Sequence, residues 1–389
     1  MLLLNISPLY LRCGVLVSKT DSLASEIQKS KLKYINSENI IDFDSNKLLL
    51  LFQINYFKIG DFLKSPDFEL LSKLNLIQKV NQEENDSIEE ILLNYKDSNE
   101  IISEPRIKNN KIPDCYYSGK LNGRNEYLIY KLFKKKCVKF GDLTKLTIEG
   151  IDYVNHNLEN SFFDLTKETI TNLVILGDNK NKSNLTKSNK NKKIIKDKFY
   201  PYLLATGDED ISVYKVESIN SYKKIGYNSM GPTSLWSLLN LTGNYENPEL
   251  ALNEAIQGNN KLIDLSVGDI YGGDYGGASL CSDLIASSFS KVKNVNDTNK
   301  IDKKDVGKAF LIFYGVTYAQ VASMVSIGES IDKIIVSGDT FGSLELMQMI
   351  QTCLEGFTGN KIGVIFNDFS NYFEIIGMIV ELEKSGLLK

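Results

Sequence analysis

The chain has 389 residues, 42% of them apolar, so it is long enough for two ordinary domains with a sizeable core. Its formal net charge of −4 argues against a nucleic-acid-binding protein, which normally carries a basic face. The sequence contains no run of about 18 apolar residues, and we therefore predict no membrane-spanning segment.

The cysteines predict reduced thiols rather than a disulfide framework. They are odd in number, and none forms a C-x-x-C pair: Cys13, Cys115, Cys137, Cys281 and Cys353. With His156 as the only histidine, neither a zinc site nor a histidine-dependent hydrolase is expected, and we predict no bound metal in this chain. Reduced thiols are typical of the cytoplasm, so we predict a cytoplasmic protein, with the nucleus as a further location.

The first half of the chain is predicted to consist largely of short strands. Apolar runs indicate three of them, the first two joined by a Ser-Pro turn: 2–6, 11–17 and 48–56. We assign residues 1–177 to an N-terminal domain, within which residues 57–112 form a variable region.

Residues 178–198 form a low-complexity segment rich in Asn and Lys. Because the segment has few apolar residues to bury, we predict a solvated, disordered insertion. An anionic docking site is the alternative. Ser183, Thr186 and Ser188 stand between basic residues, so a phospho-dependent adaptor protein is a further hypothesis for this segment.

After the insertion, residues 199–389 predict a C-terminal α/β domain. Two strands are expected around a tight turn at 207–210, and two helices follow, each with Pro near its start and Gly after its end. The remaining predicted elements alternate between helix and strand: 305–327 helix, 331–339 strand, 343–355 helix, 362–366 strand and 371–386 helix.

The segment 269–275, Asp-Ile-Tyr-Gly-Gly-Asp-Tyr, is the most distinctive in the chain. Glycine pairs permit positive φ and close backbone approach, and here they alternate with tyrosines. By composition alone, an ordinary turn between two helices would explain the segment equally well.

The flanks of this segment make it specific. Leu-Thr-Gly at 241–243, a Pro/Glu-led helix, Gly258, the 269–275 segment and Ala-Ser-Ser-Phe at 286–289 together resemble the eukaryotic-type pantothenate kinases. The resemblance implies the two-lobed, actin-like and ribonuclease H-like α/β fold of acetate kinase and the heat-shock ATPases. It also implies ATP- and Mg²⁺-dependent phosphorylation of pantothenate, the first step of coenzyme A synthesis, by a dimer.

The phosphate-binding loops depart from the family pattern. Where the family has Asp-Ile-Gly-Gly-Thr, this chain has Asn5-Ile6-Ser7-Pro8-Leu9, so the carboxylate has become an amide. Pro8 has no N–H to donate. The family's Gly-Gly-Gly-Thr element matches Gly231-Pro232-Thr233-Ser234, where Pro232 again removes a donor.

The second phosphate hairpin of the family matches residues 206–212, where Asp208, Glu209 and Asp210 stand in succession. At about 4 Å and an effective dielectric near 20, each like-charge contact with a triphosphate costs roughly 4 kcal/mol. A turn that coordinates Mg²⁺ is the alternative interpretation. The family's late Gly-Asn turn matches Gly338-Asp339, and its Thr-Gly-Gly-Gly element matches a segment that begins at Ser118.

The resemblance also implies roles for single residues. Glu149 matches the catalytic base, although a shifted register places Lys145 there. The pantothenate-binding positions fall on four residues: Ser212, Lys224, Tyr271 and Ala286. By position, residues that a protomer contributes to its neighbour's pocket fall around three more: Thr352, Cys353 and Phe357.

These departures lead to one main hypothesis and two alternatives. The main hypothesis is a catalytically impaired pantothenate kinase subunit that completes the active site of an active paralogue in a heterodimer, with ATP and Mg²⁺ bound by the partner. The alternatives are a competent kinase with a rebuilt ATP site, alone or as a homodimer, and a non-catalytic regulatory or scaffold subunit. The predicted helix at 305–327 is the expected dimerisation helix.

Overall fold

The computed structural model of the chain describes the following residues: 2–6, 10–19, 40–43, 47–55, 61–62, 64–65, 115–119, 137–159, 161–165, 192–194, 199–276, 281–294, 301–338 and 344–387. Several predictions lie outside these residues. They are the Ser7–Pro8 turn, nearly all of the variable region 57–112, nearly all of the insertion 178–198, and Asp339.

The strands in chain order are as follows: β1 (Leu2–Ile6), β2 (Tyr10–Ser18), β3 (Ile40–Asp42), β4 (Lys47–Asn55), β5 (Cys115–Gly119), β6 (Cys137–Lys139), β7 (Phe162–Leu165), β8 (Lys192–Ile194), β9 (Tyr202–Gly207), β10 (Ile211–Ser218), β11 (Ser221–Asn228), β12 (Leu265–Ser266), β13 (Ile285–Ser287), β14 (Lys333–Gly338) and β15 (Gly363–Asn367). The helices are as follows: α1 (Leu143–Asn157), α2 (Pro232–Gly243), α3 (Pro248–Gln257), α4 (Val267–Tyr271), α5 (Lys303–Glu329), α6 (Leu344–Thr358) and α7 (Phe373–Lys384).

The chain divides into two compact units. Unit 1 consists of Met1–Glu159 and Asn371–Lys389, and unit 2 consists of Asn160–Ser370. The C-terminal helix α7 therefore belongs to unit 1, whereas the sequence-based division assigned it to the second domain.

The contact between α1 and α7 explains this return of the chain. A Cβ at Gly150 would lie 2.0 Å from the carbonyl oxygen of Phe373, and a Cβ at Gly377 would lie 2.0 Å from that of Leu146. Only glycine permits so close an approach of two helix backbones. Domain boundaries drawn in chain order do not reveal such a contact.

The sheet of unit 1 has the strand order β3-β4-β2-β1-β5-β6. β1, β2 and β4 are antiparallel neighbours, whereas β5 runs parallel to β1 and β6 runs parallel to β5. The side chains of β1 are buried throughout, so this strand lies in the core of the unit.

The sheet of unit 2 has the strand order β11-β10-β9-β14-β15-β7-β8. β9, β10 and β11 form an antiparallel meander, and β14 and β15 continue the sheet as parallel strands beside β9. The predicted strands on either side of the turn at 207–210 are confirmed. The third strand of the meander, β11, was missed because its consecutive exposed lysines, Lys223 and Lys224, are typical of a solvated edge.

Both units therefore contain the same arrangement: a three-stranded antiparallel meander followed by two parallel strands on the side of the first strand. In both, the first of the two parallel strands ends in a glycine with positive φ. This strand is β5 in unit 1 and β14 in unit 2. A Cβ at Gly119 (φ 94°) would lie 2.2 Å from the carbonyl oxygen of Ile6, and a Cβ at Gly338 (φ 119°) would lie 2.3 Å from that of Gly207. This repeated order is that of the ribonuclease H-like and actin-like α/β fold, and it confirms the predicted fold class.

Helix α5 is the central helix of unit 2 and packs against α2, α3 and α6. Tyr318 on this helix is fully buried and donates a hydrogen bond of 2.6 Å to the carbonyl oxygen of Ala205. Within the described part of the chain, α5 is the one helix long and apolar enough to cross a membrane by length and composition. A partly buried core helix meets both criteria as well, and α5 has the contacts of a core helix.

The prediction that all cysteines are reduced is wrong, because the structure contains a disulfide bond. Cys115 is disulfide-bonded, whereas Cys13, Cys281 and Cys353 are free. The parallel register of β5 and β6 places residue 115 opposite residue 137, a proximity that the sequence spacing does not indicate.

Candidate functional site

In unit 1, Asn5 and Ser118, which match phosphate-loop elements, form a buried hydrogen-bond network with Arg12. Arg12 Nη1 donates to Asn5 Oδ1 at 3.1 Å, and Asn5 Nδ2 donates to Ser118 Oγ at 3.1 Å. All three residues are at most 4% exposed. Asn5 and Ser118 are paired in the register of β1 with β5, so the sheet itself brings these two predicted loop residues together. The side chains of these residues therefore form hydrogen bonds with one another inside the protein.

In unit 2, three of the predicted phosphate-loop segments meet. A Cβ at Gly231 would lie 2.0 Å from the carbonyl oxygen of Glu209, so the start of α2 packs directly on the acidic turn. Gly338 packs in the same way on Gly207, where that turn begins. The backbone N–H of Asp208 donates to the carbonyl oxygen of Asp210 at 3.1 Å and closes the turn.

The chemistry at this convergence does not fit a triphosphate. Gly231 is the N-cap of α2, Pro232 occupies its first turn, and no side chain caps the helix. A helix N-terminus attracts anions, but three consecutive carboxylates on the adjoining turn oppose that attraction. Among the described residues there is no group of three or more His, Cys, Asp or Glu side chains placed to hold a metal ion.

Asp210 links two of the predicted substrate-binding residues. Its Oδ1 accepts a short hydrogen bond from the Ser212 hydroxyl, and its Oδ2 lies 3.7 Å from Lys224 Nζ. Ser212 is 3% exposed. The pairing of β10 with β11 shifts between Val213 and Tyr214, which marks a β-bulge next to Lys224, the partner of Tyr214. Lys224 Nζ also lies 4.6 Å from the ring centroid of Tyr227.

The glycine-tyrosine segment forms a small module of β12, α4 and β13. Asp269 and Ser266 make a reciprocal capping box, and Lys291 Nζ lies 2.6 Å from Asp269 Oδ2. The hydrogen bond from Lys291, followed by those from Ser266, lowers the pKa of Asp269 to about 2. Asp274 Oδ1 accepts from the backbone N–H of Ser282 at 2.7 Å. Both aspartates of the segment therefore have structural partners.

The two predicted ligand positions in this module are solvent-exposed. Tyr271 is 56% exposed and stacks on Tyr275 with ring centroids 4.3 Å apart. Ala286 lies at the centre of β13 with its side chain exposed. The segment was predicted as a turn, and the structure adds a short helix, α4, which ends at Tyr271 with Gly272 as its left-handed C-cap (φ 78°).

The three residues predicted to reach a partner's pocket lie on α6. Thr352 Oγ1 donates to the Gln348 carbonyl oxygen at 2.8 Å, and Cys353 packs against the core of unit 2. Burial raises the pKa of the Cys353 thiol to about 11. Phe357 is 44% exposed, so it is the member of the three that presents a large side chain to solvent.

Glu149 and Lys145, the two alternatives for the catalytic-base position, belong to one ionic network between α1 and α7. Glu149 is 2% exposed, and its Oε1 lies 3.6 Å from Lys145 Nζ and 3.2 Å from Lys384 Nζ. Lys145 Nζ also lies 3.1 Å from Glu381 Oε2. Lys384 and Glu381 were missed by the sequence interpretation because nothing in it placed α7 on α1.

The pKa values of two carboxyls in this network, Glu149 and Glu381, are shifted in opposite directions. Burial first, and then a hydrogen bond with Glu381, raise the pKa of Glu149 to about 7, against the opposing effect of Lys384. The same hydrogen bond lowers the pKa of Glu381. Protonated Glu149 therefore donates to ionised Glu381, and the pair holds α1 against α7.

The duplicated sheet defines an actin-like α/β protein. The residues predicted to match phosphate loops make internal contacts in unit 1 and form an acidic turn in unit 2. The sequence places the chain more narrowly. The model of the Fumble family, a family of pantothenate kinases, matches residues 65–381, and the chain belongs to this family.

Relatives with assigned names match about half of the chain. Pantothenate kinase 1 of Arabidopsis thaliana is 30% identical over 181 residues, which are 46% of this chain and 47% of that protein. Pantothenate kinase 2 of the same plant is 25% identical over 193 residues, 48% of this chain and 21% of that protein. The 4'-phosphopantetheine phosphatase of Mus musculus is 27% identical over 183 residues, 47% of this chain and 22% of that protein. The chain thus spans from about a fifth to about half of these proteins.

Solved structures are more distant. A glucokinase of Balamuthia mandrillaris in complex with glucose has a TM-score of 0.38 and 10% identity, with 97% of this chain and 92% of that chain covered. A ParM quadruple mutant has a TM-score of 0.35 and 9% identity, with 98% of each chain covered. The fold assignment rests on the strand order and not on these scores.

Proposed function

We propose that this chain is a catalytically impaired pantothenate kinase subunit that completes the substrate pocket of an active paralogue in a heterodimer. Membership of the Fumble family supports a phosphotransferase of coenzyme A biosynthesis. We infer impaired catalysis from the acidic turn of unit 2, where Asp208, Glu209 and Asp210 adjoin the proline-containing start of α2.

The loops of this chain favour a partner that binds the nucleotide. Phosphoryl transfer depends almost entirely on positioning and on stabilising the phosphate charge. In unit 1, the side chains of Asn5 and Ser118 bond to one another, and in unit 2 the backbone of the acidic turn packs on the helix terminus that would attract phosphate. We therefore assign ATP and Mg²⁺ to the active paralogue.

Helix α5 provides the surface for the dimer. Phe313, Met324 and Ile327 are 37%, 74% and 61% exposed, and their spacing places them on one face of the helix. Exposed apolar side chains that share a face mark an interaction surface. Phe357 on the neighbouring helix α6 is the side chain that we expect to enter the partner's pocket.

The test is to produce this chain alone, its active paralogue alone and the two together, and to measure pantothenate phosphorylation. We expect negligible activity from this chain, and more from the pair than from the paralogue alone. Met324→Glu should abolish pairing in size-exclusion chromatography, whereas Leu241→Glu, on the 83% exposed Leu241 of α2, should not. Phe357→Ala should lower the activity of the pair without dissociating it.

Two results would overturn the proposal. Robust activity of this chain alone, together with low-micromolar Mg·ATP binding by calorimetry, would establish a competent kinase with a rebuilt site, in a homodimer if the chain pairs with itself. Full activity of the paralogue alone, unchanged by this chain, would leave a regulatory or scaffold role. The phospho-dependent adaptor at 178–198 and the cytoplasmic location stay predictions, and deletion of that segment tests the first of them.

A further inference from the structure

The side chains of Ser212, Lys224 and Asp210 form a closed group in unit 2. Each carboxylate oxygen of Asp210 has its own partner, since Oδ1 accepts from the Ser212 hydroxyl and Oδ2 faces Lys224 Nζ at 3.7 Å. A hydroxyl and an ammonium that converge on two carboxylate oxygens form a typical recognition site for an acid. Here the acid belongs to the protein.

The backbone holds Asp210 in this position. The turn is closed by the hydrogen bond from the Asp208 N–H to the Asp210 carbonyl oxygen at 3.1 Å. On its other side, the carbonyl oxygen of Glu209 packs on Gly231. The contact is so close that a Cβ added to Gly231 would lie 2.0 Å from this oxygen. The carboxylate is therefore presented to Ser212 and Lys224 by a fixed turn.

We propose that Asp210 is a specificity-determining residue whose carboxylate occupies the place of a ligand carboxylate between Ser212 and Lys224. This inference rests on the proposed function, in which Ser212 and Lys224 line the pantothenate pocket. Pantothenate is an acid, so its carboxylate competes with Asp210 for the same two donors. Its alcohol analogue, pantothenol, has no charge to repel.

The surrounding charges increase this discrimination. Asp208 and Glu209 precede Asp210 in the same turn, and Lys224 is the cation that faces the Asp210 carboxylate. Like charges at close range repel strongly near a protein surface. The site of this chain therefore disfavours acids, and replacing Asp210 frees the hydroxyl and the ammonium for one.

The experiment is calorimetric titration of the purified full chain with pantothenate and with pantothenol. We expect Asp210→Ala and Asp210→Asn to bind pantothenate about tenfold or more tightly than the unmodified chain, with pantothenol affinity unchanged within about twofold. The double variant Asp210→Ala/Lys224→Ala should lose this gain in pantothenate affinity. Glu217→Gln is the matched control, because it removes one carboxylate from β10, the strand that follows Asp210, where Glu217 pairs with Lys215 at 3.3 Å.

Each outcome decides the question. A gain for pantothenate alone supports the role of Asp210. An equal gain for both ligands, or a gain of equal size in Glu217→Gln, overturns it. If no variant binds either ligand while the heterodimer phosphorylates pantothenate, the role of Asp210 fails and the proposed function stands. If the heterodimer is also inactive, both fail. Because Asp210→Asn preserves the shape of the side chain, misfolding of Asp210→Ala alone leaves a decisive variant.

Discussion

Units 1 and 2 share the same order of five strands, but they differ in the polar side chains near the end of the first strand. These side chains are buried in unit 1 and partly exposed to solvent in unit 2. In unit 1, Asn5, Arg12 and Ser118 bond to one another in the core. In unit 2, Asp210 binds Ser212 and Lys224 at a turn where the lysine side chain is 41% exposed. The fold therefore fixes where polar side chains gather, and the local sequence decides whether they are buried or face solvent.

The helices repeat this contrast. The α1–α7 contact of unit 1 contains the buried Glu149 with its lysine partners. The α5–α6 contact of unit 2 is apolar at the position where Gly315 faces Met349, with a Cβ placed there 2.7 Å from its sulfur atom. We expect unit 1 to be the more sensitive to loss of a polar side chain.

The largest effect should come from the feature that both units share. Gly119→Ala and Gly338→Ala each force a side chain onto a carbonyl oxygen at positive φ, so we expect each to lower the free energy of unfolding by roughly 3 kcal/mol or more. Chemical denaturation measures this. Gly272→Ala is the control, since its φ is 78° but no atom lies within 4 Å of the added Cβ, and we expect about 1 kcal/mol there. Unequal effects of the first two variants would contradict the equivalence of the units.

The second prediction addresses the difference between the units. Arg12→Ala removes a buried guanidinium and leaves the Asn5 carboxamide oxygen without its donor, which should cost about 3 kcal/mol. Lys224→Ala removes an exposed partner at 3.7 Å and should cost less than about 1 kcal/mol. Urea denaturation of the two variants compares them directly. Similar losses would refute the contrast between a buried and an exposed network.

The third prediction concerns pH. The pKa of Glu149 is raised in the folded state from its ordinary 4.5 to about 7, so its contribution to stability is complete below 4.5 and is lost as the pH rises through 7. Glu381, whose pKa is lowered, acts in the opposite sense, and we expect a net loss of about 1–2 kcal/mol. Thermal melts between pH 5 and 8 measure it.

Glu149→Gln should flatten this dependence, because its amide can donate to Glu381 at every pH. Glu383 is an exposed carboxyl on α7, the helix of Glu381, and Glu383→Gln should leave the pH dependence of stability unchanged. If Glu149→Gln retains the pH dependence of the unmodified chain, Glu149 is not its source.

Local patterns predicted the elements of the fold well, and distant contacts account for what they missed. The paired strands at the N-terminus and the helices that begin at Pro232 and Pro248 follow from apolar spacing and from Pro and Gly signals near the helix ends. The return of α7 to α1 depends on Gly150 and Gly377, which are separated in sequence by most of the chain. Nothing local marks such a pair.

The same limit applies to the candidate site. The family resemblance predicted Ser212 and Lys224 as binding residues, and the acidic residues of the turn were evident from the sequence. That Asp210 binds those two side chains became evident only in the structure, because Lys224 lies on β11, a strand that the sequence analysis did not predict. The motif around Tyr271 identified the family, whereas the hydrogen-bond partners of its aspartates became evident only in the structure.

The smallest effect should come from the exposed network of unit 2. The pKa of Asp269 is lowered from 3.8 to about 2, first by the hydrogen bond from Lys291, so its stabilisation of α4 is present above 3.8 and is lost as the pH falls through 2. Asp269→Asn should remove this acid transition from the amide chemical shifts of residues 266–272 in an NMR pH titration. Asp274→Asn, which alters only the bond to Ser282, should retain it. Because Asp269 lies at the surface, global unfolding should be nearly unchanged in both variants, and a large global loss would show that exposed polar groups of unit 2 contribute as much as the buried ones of unit 1.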